Sequence, residues 1–160
     1  MTIEIREATP ADAPLILAFV RDLARFERAP DAVKASEADL LRDGWGAERR
    51  FEARIAMVDG RAAGFALFFA NYSTWAGRAG LYVEDLFVAD WARGRGAGRA
   101  LIADLARIAV SRGWARLDLA VLDWNPAREF YAKLGLAHRE EWLPYRVAGA
   151  ALEQLARSAP

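Results

Sequence analysis

The chain has 160 residues, of which 54% are hydrophobic and 28% charged, so it is large and apolar enough to fold around its own core. Its 22 basic and 22 acidic residues cancel, which argues against a nucleic-acid or membrane partner bound over the whole surface. It has no cysteine and one histidine, so we expect no disulfide and no metal centre. Without a signal-peptide pattern or an apolar run of about 20 residues, we expect a cytoplasmic protein.

The first 45 residues show a strand pattern followed by two helix patterns. Ile3 and Ile5 alternate with polar residues, which indicates a short strand. Apolar residues then recur every three or four positions over 15–26, as on one face of a helix. A second helix is predicted over 36–43, with Ser36 as its N-cap.

Three strand patterns come next. They cover residues 51–58, 61–70 and 79–88. Asp59-Gly60, between the first two, is a strong signal for a two-residue hairpin turn. We therefore expect an antiparallel arrangement in this part of the chain.

The second half of the chain alternates helix and strand. The predicted elements are a helix over 97–112, a strand over 115–122, a short helix between Asn125 and Gly135, a strand over 142–148 and a helix over 149–157. Asn125 is predicted to cap the short helix, with Pro126 at its first position. With no linker and no repeat, the sequence predicts one mixed α/β domain over residues 1–160.

A loop rich in glycine and arginine, residues 93–99 (RGRGAGR), lies between a predicted strand and a predicted helix. Glycine lets the backbone approach a ligand closely, and the free amides at a helix start favour an anion. Residues 91–116 hold six arginines and one acidic residue, a local charge of +5. The loop therefore predicts a polyanionic ligand, most simply a pyrophosphate. A flexible arginine-rich surface loop is the alternative, because the whole chain has 20 arginines and two lysines.

The two common nucleotide motifs do not match this loop. A P-loop needs a lysine that is missing here, and a dinucleotide fingerprint needs glycine where Arg99 stands. Instead, the strand LYVEDLFV, the motif R-x-x-G-x-G (Arg93, Gly96, Gly98) and a later helix with Phe130-Tyr131 resemble the GCN5-related N-acetyltransferase superfamily. Within that superfamily, the chain is similar to the diamine (spermidine/spermine-type) acetyltransferases. That closer similarity rests on 23–27 (LARFE), 39–44 (DLLRDG), 72–75, 83–88 (VEDLFV) and 141–142.

The resemblance implies a fold and a co-substrate site. The fold is an α/β mixed sheet, mostly antiparallel, with helices around it and acetyl-coenzyme A in a wedge between two splayed parallel strands, 81–88 and 115–121. It implies that backbone groups of three residues pair with the pantetheine arm: Leu86, Phe87 and Val88. It implies that the loop holds the pyrophosphate through Arg93, Gly94, Arg95, Gly96, Ala97, Gly98 and Arg99. Asn125 is a further expected coenzyme contact, although it precedes Tyr131 by six positions where the family usually has seven.

The resemblance also implies a reaction, the transfer of an acetyl group to a primary amine of a small molecule such as a diamine or a basic amino acid. It implies that Tyr131 donates a proton to the departing thiolate; from its helical spacing, Tyr131 is also explained as a core aromatic residue. Glu84 is expected at the substrate amine as binding group and route for its proton, and Glu27 is a second substrate-binding candidate. Because side chains alternate along a regular strand, we predict that Glu84 and Asp85 point to opposite faces, and Asp85 is not included.

Other functions remain open from the sequence. The acceptor could instead be a protein N-terminus or a lysine, or the chain could be a non-catalytic acyl-coenzyme A binding module, because function resides in sites rather than folds. The resemblance implies a homodimer as well.

Overall fold

The computed structural model describes residues 1–159 and divides the chain into two compact units. The first unit is Met1–Asn125, and the second begins at Pro126. That residues 1–160 form a single domain stays a prediction.

The first unit contains a sheet and three helices, as predicted in type and order. The strands are β1 (Ile3–Glu7), β2 (Glu52–Val58), β3 (Arg61–Ser73), β4 (Arg78–Val88) and β5 (Leu117–Leu119). The helices are α1 (Ala13–Phe26), α2 (Glu37–Trp45) and α3 (Ala97–Ser111). The strands are ordered β1-β2-β3-β4-β5, antiparallel throughout except for the parallel pair β4–β5. This confirms the predicted mixed sheet.

Each face of the sheet carries its own buried cluster. On one face, Phe19 of α1 and Leu40 of α2 pack with Phe65 and Phe87 of the strands. On the other face, α3 packs against a cluster that includes Leu81 and Val83 of β4. Through the two clusters, β4 packs between α1 and α3. This packing holds in place the strand that carries the candidate site.

Local turn chemistry acts as the sequence predicts. Asp59 and Gly60 both have positive φ, 49° and 78°, as a two-residue hairpin of type I′ requires. The Ser36 hydroxyl accepts a hydrogen bond from the Asp39 amide at 3.2 Å, which caps α2. These two features fix the β2–β3 register and the start of α2.

The parallel ladder between β4 and β5 is short. It pairs Leu81 with Leu117 and ends where Val83 pairs with Leu119, although the sequence predicted a strand over 115–122. Beyond Val83, β4 continues to Val88 without a partner on this side among residues 1–159. The sheet therefore opens between the two parallel strands.

A β-bulge interrupts β4 at Glu84. Val83 pairs with Phe68 and Asp85 pairs with Leu67, so Glu84 is an extra residue on β4. Val83 faces the α3 cluster and Leu86 packs against that same cluster, three positions later. Regular alternation would put them on opposite faces, so the bulge shifts the alternation by one residue. The prediction that Glu84 and Asp85 point to opposite faces assumes a regular strand, and β4 is irregular at this point; it stays a prediction.

The second unit contains α4 (Ala127–Lys133) and α5 (Gly149–Arg157), the latter as predicted. Pro126, not Asn125, occupies the N-cap position of α4, so the helix begins one residue later than predicted. The predicted strand over 142–148 is wrong. Its residues alternate apolar and polar, but they form no ladder within the part of the chain that the structure describes.

Candidate active site

The turn between β4 and α3 has the backbone geometry of an anion site. Gly94 and Gly96 adopt φ of 73° and 93°, a region that other residues rarely enter. Gly96 is the N-cap of α3, and its carbonyl accepts the hydrogen bond of the Ala100 amide at 2.9 Å. The amides of residues 97–99 therefore have no acceptor within the helix, and the helix dipole favours negative charge beside them.

Four of the six arginines of residues 91–116 already have carboxylate partners. The pairs are Arg93–Asp90, Arg107–Asp104, Arg112–Glu52 and Arg116–Asp118, at 2.5–2.8 Å. Arg95 and Arg99 are exposed, and no carboxylate of residues 1–159 pairs with either of them. The local excess of positive charge therefore reduces to two guanidinium groups, one before and one within the first turn of α3.

Arg93 is held away from the helix start by its own contacts. Its Nε donates to the Val88 carbonyl at 3.0 Å, and its guanidinium carbon lies 4.8 Å from the Phe26 ring centroid. A groove of about 380 Å³ adjoins it, lined also by Asp22, Phe26 and Phe87. In this structure, Arg93 connects the end of β4 to the end of α1.

The β4 strand exposes backbone groups along its open edge. The Ala89 amide donates to Ala63 of the β3 side at 2.8 Å, so alternate residues from Ala89 backward direct their peptide groups to β3. Phe87 belongs to that set. Leu86 and Val88 direct theirs toward the open edge, which has no strand among residues 1–159. Apart from the Val88 carbonyl, which accepts from Arg93, the edge thus presents the hydrogen-bonding pattern of an unpaired strand.

Three acidic side chains converge near the bulge. Burial first, and then the charges of Glu84 and Glu27, together raise the pKa of the Asp85 carboxyl to about 6. Burial also raises the pKa of Glu27, which follows the last residue of α1. Among residues 1–159, no arginine or lysine pairs with any of the three. Glu27 and Asp85 are half-buried and Glu84 is exposed, and uncompensated carboxylates of this kind favour a cationic ligand.

Asp85 is the residue that sequence reasoning missed. Its burial and its neighbours depend on the bulge, and the bulge appears only in the pairing with β3. The adjacent acidic pair in VEDLFV was the available signal, but the assumption of regular alternation led to the exclusion of Asp85.

Asn125 and Tyr131 lie after β5. Asn125 is buried, and its backbone N–H donates to the Leu122 carbonyl at 2.9 Å in a turn. Tyr131 lies on α4, in the second unit, with its ring centroid 5.2 Å from that of Phe130. Its carbonyl accepts from the amides of Leu134 and Leu136, which closes the end of the helix.

Residues 1–159 contain no group of three or more His, Asp or Glu side chains placed to hold a metal ion. No helix in that range is both long and apolar enough to cross a lipid bilayer.

Comparison with known proteins agrees with this geometry. The model of the acetyltransferase (GNAT) family matches residues 17–136. The thialysine N-epsilon-acetyltransferase of Bos taurus is 37% identical to this chain, over 96% of it and 97% of the relative. The spermidine/spermine N(1)-acetyltransferase-like protein 1 of Homo sapiens is 33% identical over 89% of this chain and 22% of its own length. The structure of an integron cassette protein of V. cholerae superimposes with a TM-score of 0.81 and 30% identity, over 99% of both chains.

These matches define the class of protein. The chain belongs to the GNAT family and is an acetyltransferase. The resemblance to diamine-type acetyltransferases inferred from the sequence is confirmed by the relatives that it matches.

Proposed function

We propose that the protein transfers the acetyl group of acetyl-coenzyme A to a primary amine of a small dibasic molecule, a diamine or a basic amino acid. The observation that carries the acceptor class is the set of three carboxylates without a cationic partner at the β4 bulge. A chain with 20 arginines leaves these three without one, although it pairs Asp90, Asp104 and Glu52 with arginines. The names of two relatives, a thialysine N-epsilon-acetyltransferase and a spermidine/spermine N(1)-acetyltransferase-like protein, agree with a dibasic acceptor.

The coenzyme has a matching surface in the first unit. We assign its diphosphate to the amides at residues 97–99 and to the guanidinium groups of Arg95 and Arg99, with Gly94, Gly96 and Gly98 allowing close approach. We assign its pantetheine arm to the open edge of β4, at the outward peptide groups of Leu86 and Val88. Phe87 then contributes its buried side chain, and Arg93 supports the Val88 carbonyl. Asn125 remains a proposed contact.

The chemistry requires two proton movements. A primary alkylammonium has a pKa near 10.4, so it must lose a proton before its nitrogen can attack the thioester carbonyl carbon. We assign the route for this proton to Glu84, directly or through water, and place Asp85 beside it. As the new C–N bond forms and the C–S bond breaks, the sulfur leaves as a thiolate. We assign Tyr131 as the donor that protonates it.

A panel of amines tests the acceptor class. Acetyl-coenzyme A is mixed with 1,4-diaminobutane, lysine, ornithine, a monoamine of equal length and a lysine-containing peptide, and the free thiol released is measured. We expect turnover with the dibasic small molecules and at least tenfold less with the monoamine, because its far end brings no charge to the second carboxylate. Preference for the peptide would assign the acceptor to proteins. Retained coenzyme binding without turnover on any amine would indicate a binding module.

A matched pair of variants tests Glu84. Glu84→Gln removes the charge without changing the shape and is expected to lower kcat/KM for diamines about 100-fold. Glu48→Gln is the control, because Glu48 is exposed and pairs only with Arg50. Equal activity of the two variants would remove Glu84 from the mechanism.

We propose in addition that two copies of the chain form a dimer. Leu143, Tyr145 and Val147 alternate with other residues in a segment outside the helices and strands, and they are 72%, 92% and 44% exposed. Apolar side chains at every second residue are typical of a strand that packs against a partner. Light scattering on the wild type and on Leu143→Ser tests this, and a wild-type protein that is monomeric at micromolar concentration would refute it.

A further inference from the structure

Trp124 touches the two residues that flank Glu27. The guanidinium carbon of Arg28 lies 4.0 Å from the centroid of the Trp124 ring, in cation–π contact. The Phe26 ring lies on the same indole, with 6.3 Å between ring centroids and an interplanar angle of 42°. Glu27 sits between these two residues at the C-cap of α1.

The backbone at this point is held in an uncommon conformation. Arg28 has φ of 62°, in the left-handed region that residues other than glycine seldom occupy. The Arg28 amide donates to the Arg25 carbonyl at 3.1 Å, and the Ala29 amide donates to Ala24 at 2.8 Å. Surrounding contacts must maintain such a conformation, and the stacking of Arg28 on Trp124 is one of them.

The stack also connects three segments of the first unit. Phe26 lies between Trp124 and Arg93, whose guanidinium carbon is 4.8 Å from the Phe26 ring and 5.8 Å from the Phe87 ring. Trp124 follows β5, Arg93 follows β4, and Phe26 ends α1. The contacts therefore join the end of α1 to the ends of both splayed strands.

We propose that Trp124 is a positioning residue for the acceptor amine: by fixing Phe26 and Arg28, it holds the carboxylate of Glu27 toward Glu84 and Asp85. Successive residues at a helix end are separated by about 100° of rotation, so contacts to the residues on both sides set the direction of the one between. This inference rests on the proposed function, in which Glu27 binds the amine.

Two observations favour this role over simple core packing. Trp124 is 38% exposed and belongs to neither buried cluster, so it is not needed to fill the core. Glu27 is half-buried, has no cationic partner among residues 1–159, and its charge reaches Asp85. The direction of this carboxylate therefore has an electrostatic consequence at the site.

Three variants test the proposal with 1,4-diaminobutane and acetyl-coenzyme A as substrates. Trp124→Leu is expected to raise KM for the diamine about tenfold, with kcat and the coenzyme KM changed less than threefold, because only the amine-binding carboxylate is released. Trp124→Phe keeps a ring for Arg28, so we expect its increase in log KM for the diamine to be at most half of that in Trp124→Leu. Trp114→Leu is the control. Trp114 also stacks with an arginine, Arg112, at 4.9 Å, but it follows the C-terminal end of α3, while the coenzyme loop precedes the N-terminal end.

A double-mutant cycle separates positioning from general destabilisation. If Trp124 acts through Glu27, then Glu27→Gln raises the diamine KM strongly in the wild type and less than twofold in Trp124→Leu. Additive effects of the two substitutions, or equal losses with Trp114→Leu, would overturn the inference. If the wild type acetylates no small amine, it is the proposed function that fails. Titration of 1,4-diaminobutane by calorimetry gives the same cycle without turnover.

Discussion

Leu67 and Asp85 face each other across β3 and β4, while the next pair along the ladder is Phe68 with Val83. One residue of β3 thus corresponds to two residues of β4, Glu84 and Asp85. The charges of Glu84 and of Glu27, at the end of α1, both act on Asp85. Negative charge is therefore concentrated between the bulge and the end of α1.

This arrangement gives Asp85 a measurable cost to stability. Its folded pKa of about 6 lies above the ordinary value of 3.8, so the folded protein binds this proton more tightly than the unfolded chain does. Stability therefore falls as pH rises from about 4 to 6 and stays lower above. Asp85→Asn is expected to raise the free energy of unfolding at pH 8 by about 1–3 kcal/mol, and to have no such effect at pH 4.

Urea unfolding at the two pH values checks this, with Glu48→Gln as an exposed control. The same Asp85→Asn variant is expected to bind diamines less tightly, as is common when a strained functional group is removed. A variant less stable than wild type at pH 8 would show that the Asp85 charge is compensated.

Arg95 and Arg99 are expected to contribute most of the side-chain affinity for the coenzyme diphosphate. Replacing both with glutamine should raise the Kd for coenzyme A roughly 10- to 100-fold and weaken its dependence on salt, since charge-assisted hydrogen bonds are lost. Calorimetry measures both effects. Arg107→Gln is the control, because Arg107 is already paired with Asp104. Binding of S-acetylpantetheine, which lacks the diphosphate, should be unchanged by the double substitution, and a parallel loss there would contradict the assignment.

Gly96 and Gly113 allow backbone strain to be separated from ligand binding. Both have positive φ, 93° and 68°, at opposite ends of α3, and a Cβ at either site meets no contact closer than 3.5 Å. Alanine at each should cost about 1–2 kcal/mol of stability. Only Gly96→Ala should weaken coenzyme binding, because it re-aims the amides at residues 97–99. Thermal unfolding and calorimetry on both variants decide the point, and equal coenzyme affinities would remove the helix start from the site.

Tyr131 is expected to act on kcat rather than on binding. Tyr131→Phe should lower kcat about 10- to 100-fold, less than the largest effects of acid catalysis, because a thiol with pKa near 8.5 is already a fair leaving group. The KM values should change less than threefold. Tyr72→Phe is the matched control, since that tyrosine lies on β3 and is 64% exposed. Steady-state kinetics with both variants test the assignment, and unchanged turnover would leave Tyr131 a packing residue.

Features set by neighbouring residues were predictable from the sequence. The hairpin at Asp59-Gly60, the cap at Ser36 and the glycine turn before α3 each depend on a few adjacent positions. The glycine-arginine loop also indicated an anion site without knowledge of the fold.

Features set by distant pairing were not predictable. The early end of β5 and the bulge at Glu84 depend on which strand lies alongside, as does the lack of a ladder for residues 142–148. The contact between Arg28 and Trp124 joins residues 96 positions apart, which no local pattern reports. The charges of the loop were counted correctly, but only the folded chain separates Arg95 and Arg99 from the arginines that already have partners.

The three-residue ladder between β4 and β5 has a consequence for how such an enzyme diversifies. Past Val83, the groups of β4 that are available to hydrogen-bond a donor molecule are peptide N–H and C=O groups, which every residue type except proline supplies equally. Replacement of Leu86 or Val88 by another strand-forming residue therefore keeps these groups. The proposed acceptor end is made of carboxylates at Glu27, Glu84 and Asp85, each of which a single codon change can neutralise. Homologues that diverge from this chain would thus keep the same acyl donor while the acceptor amine changes.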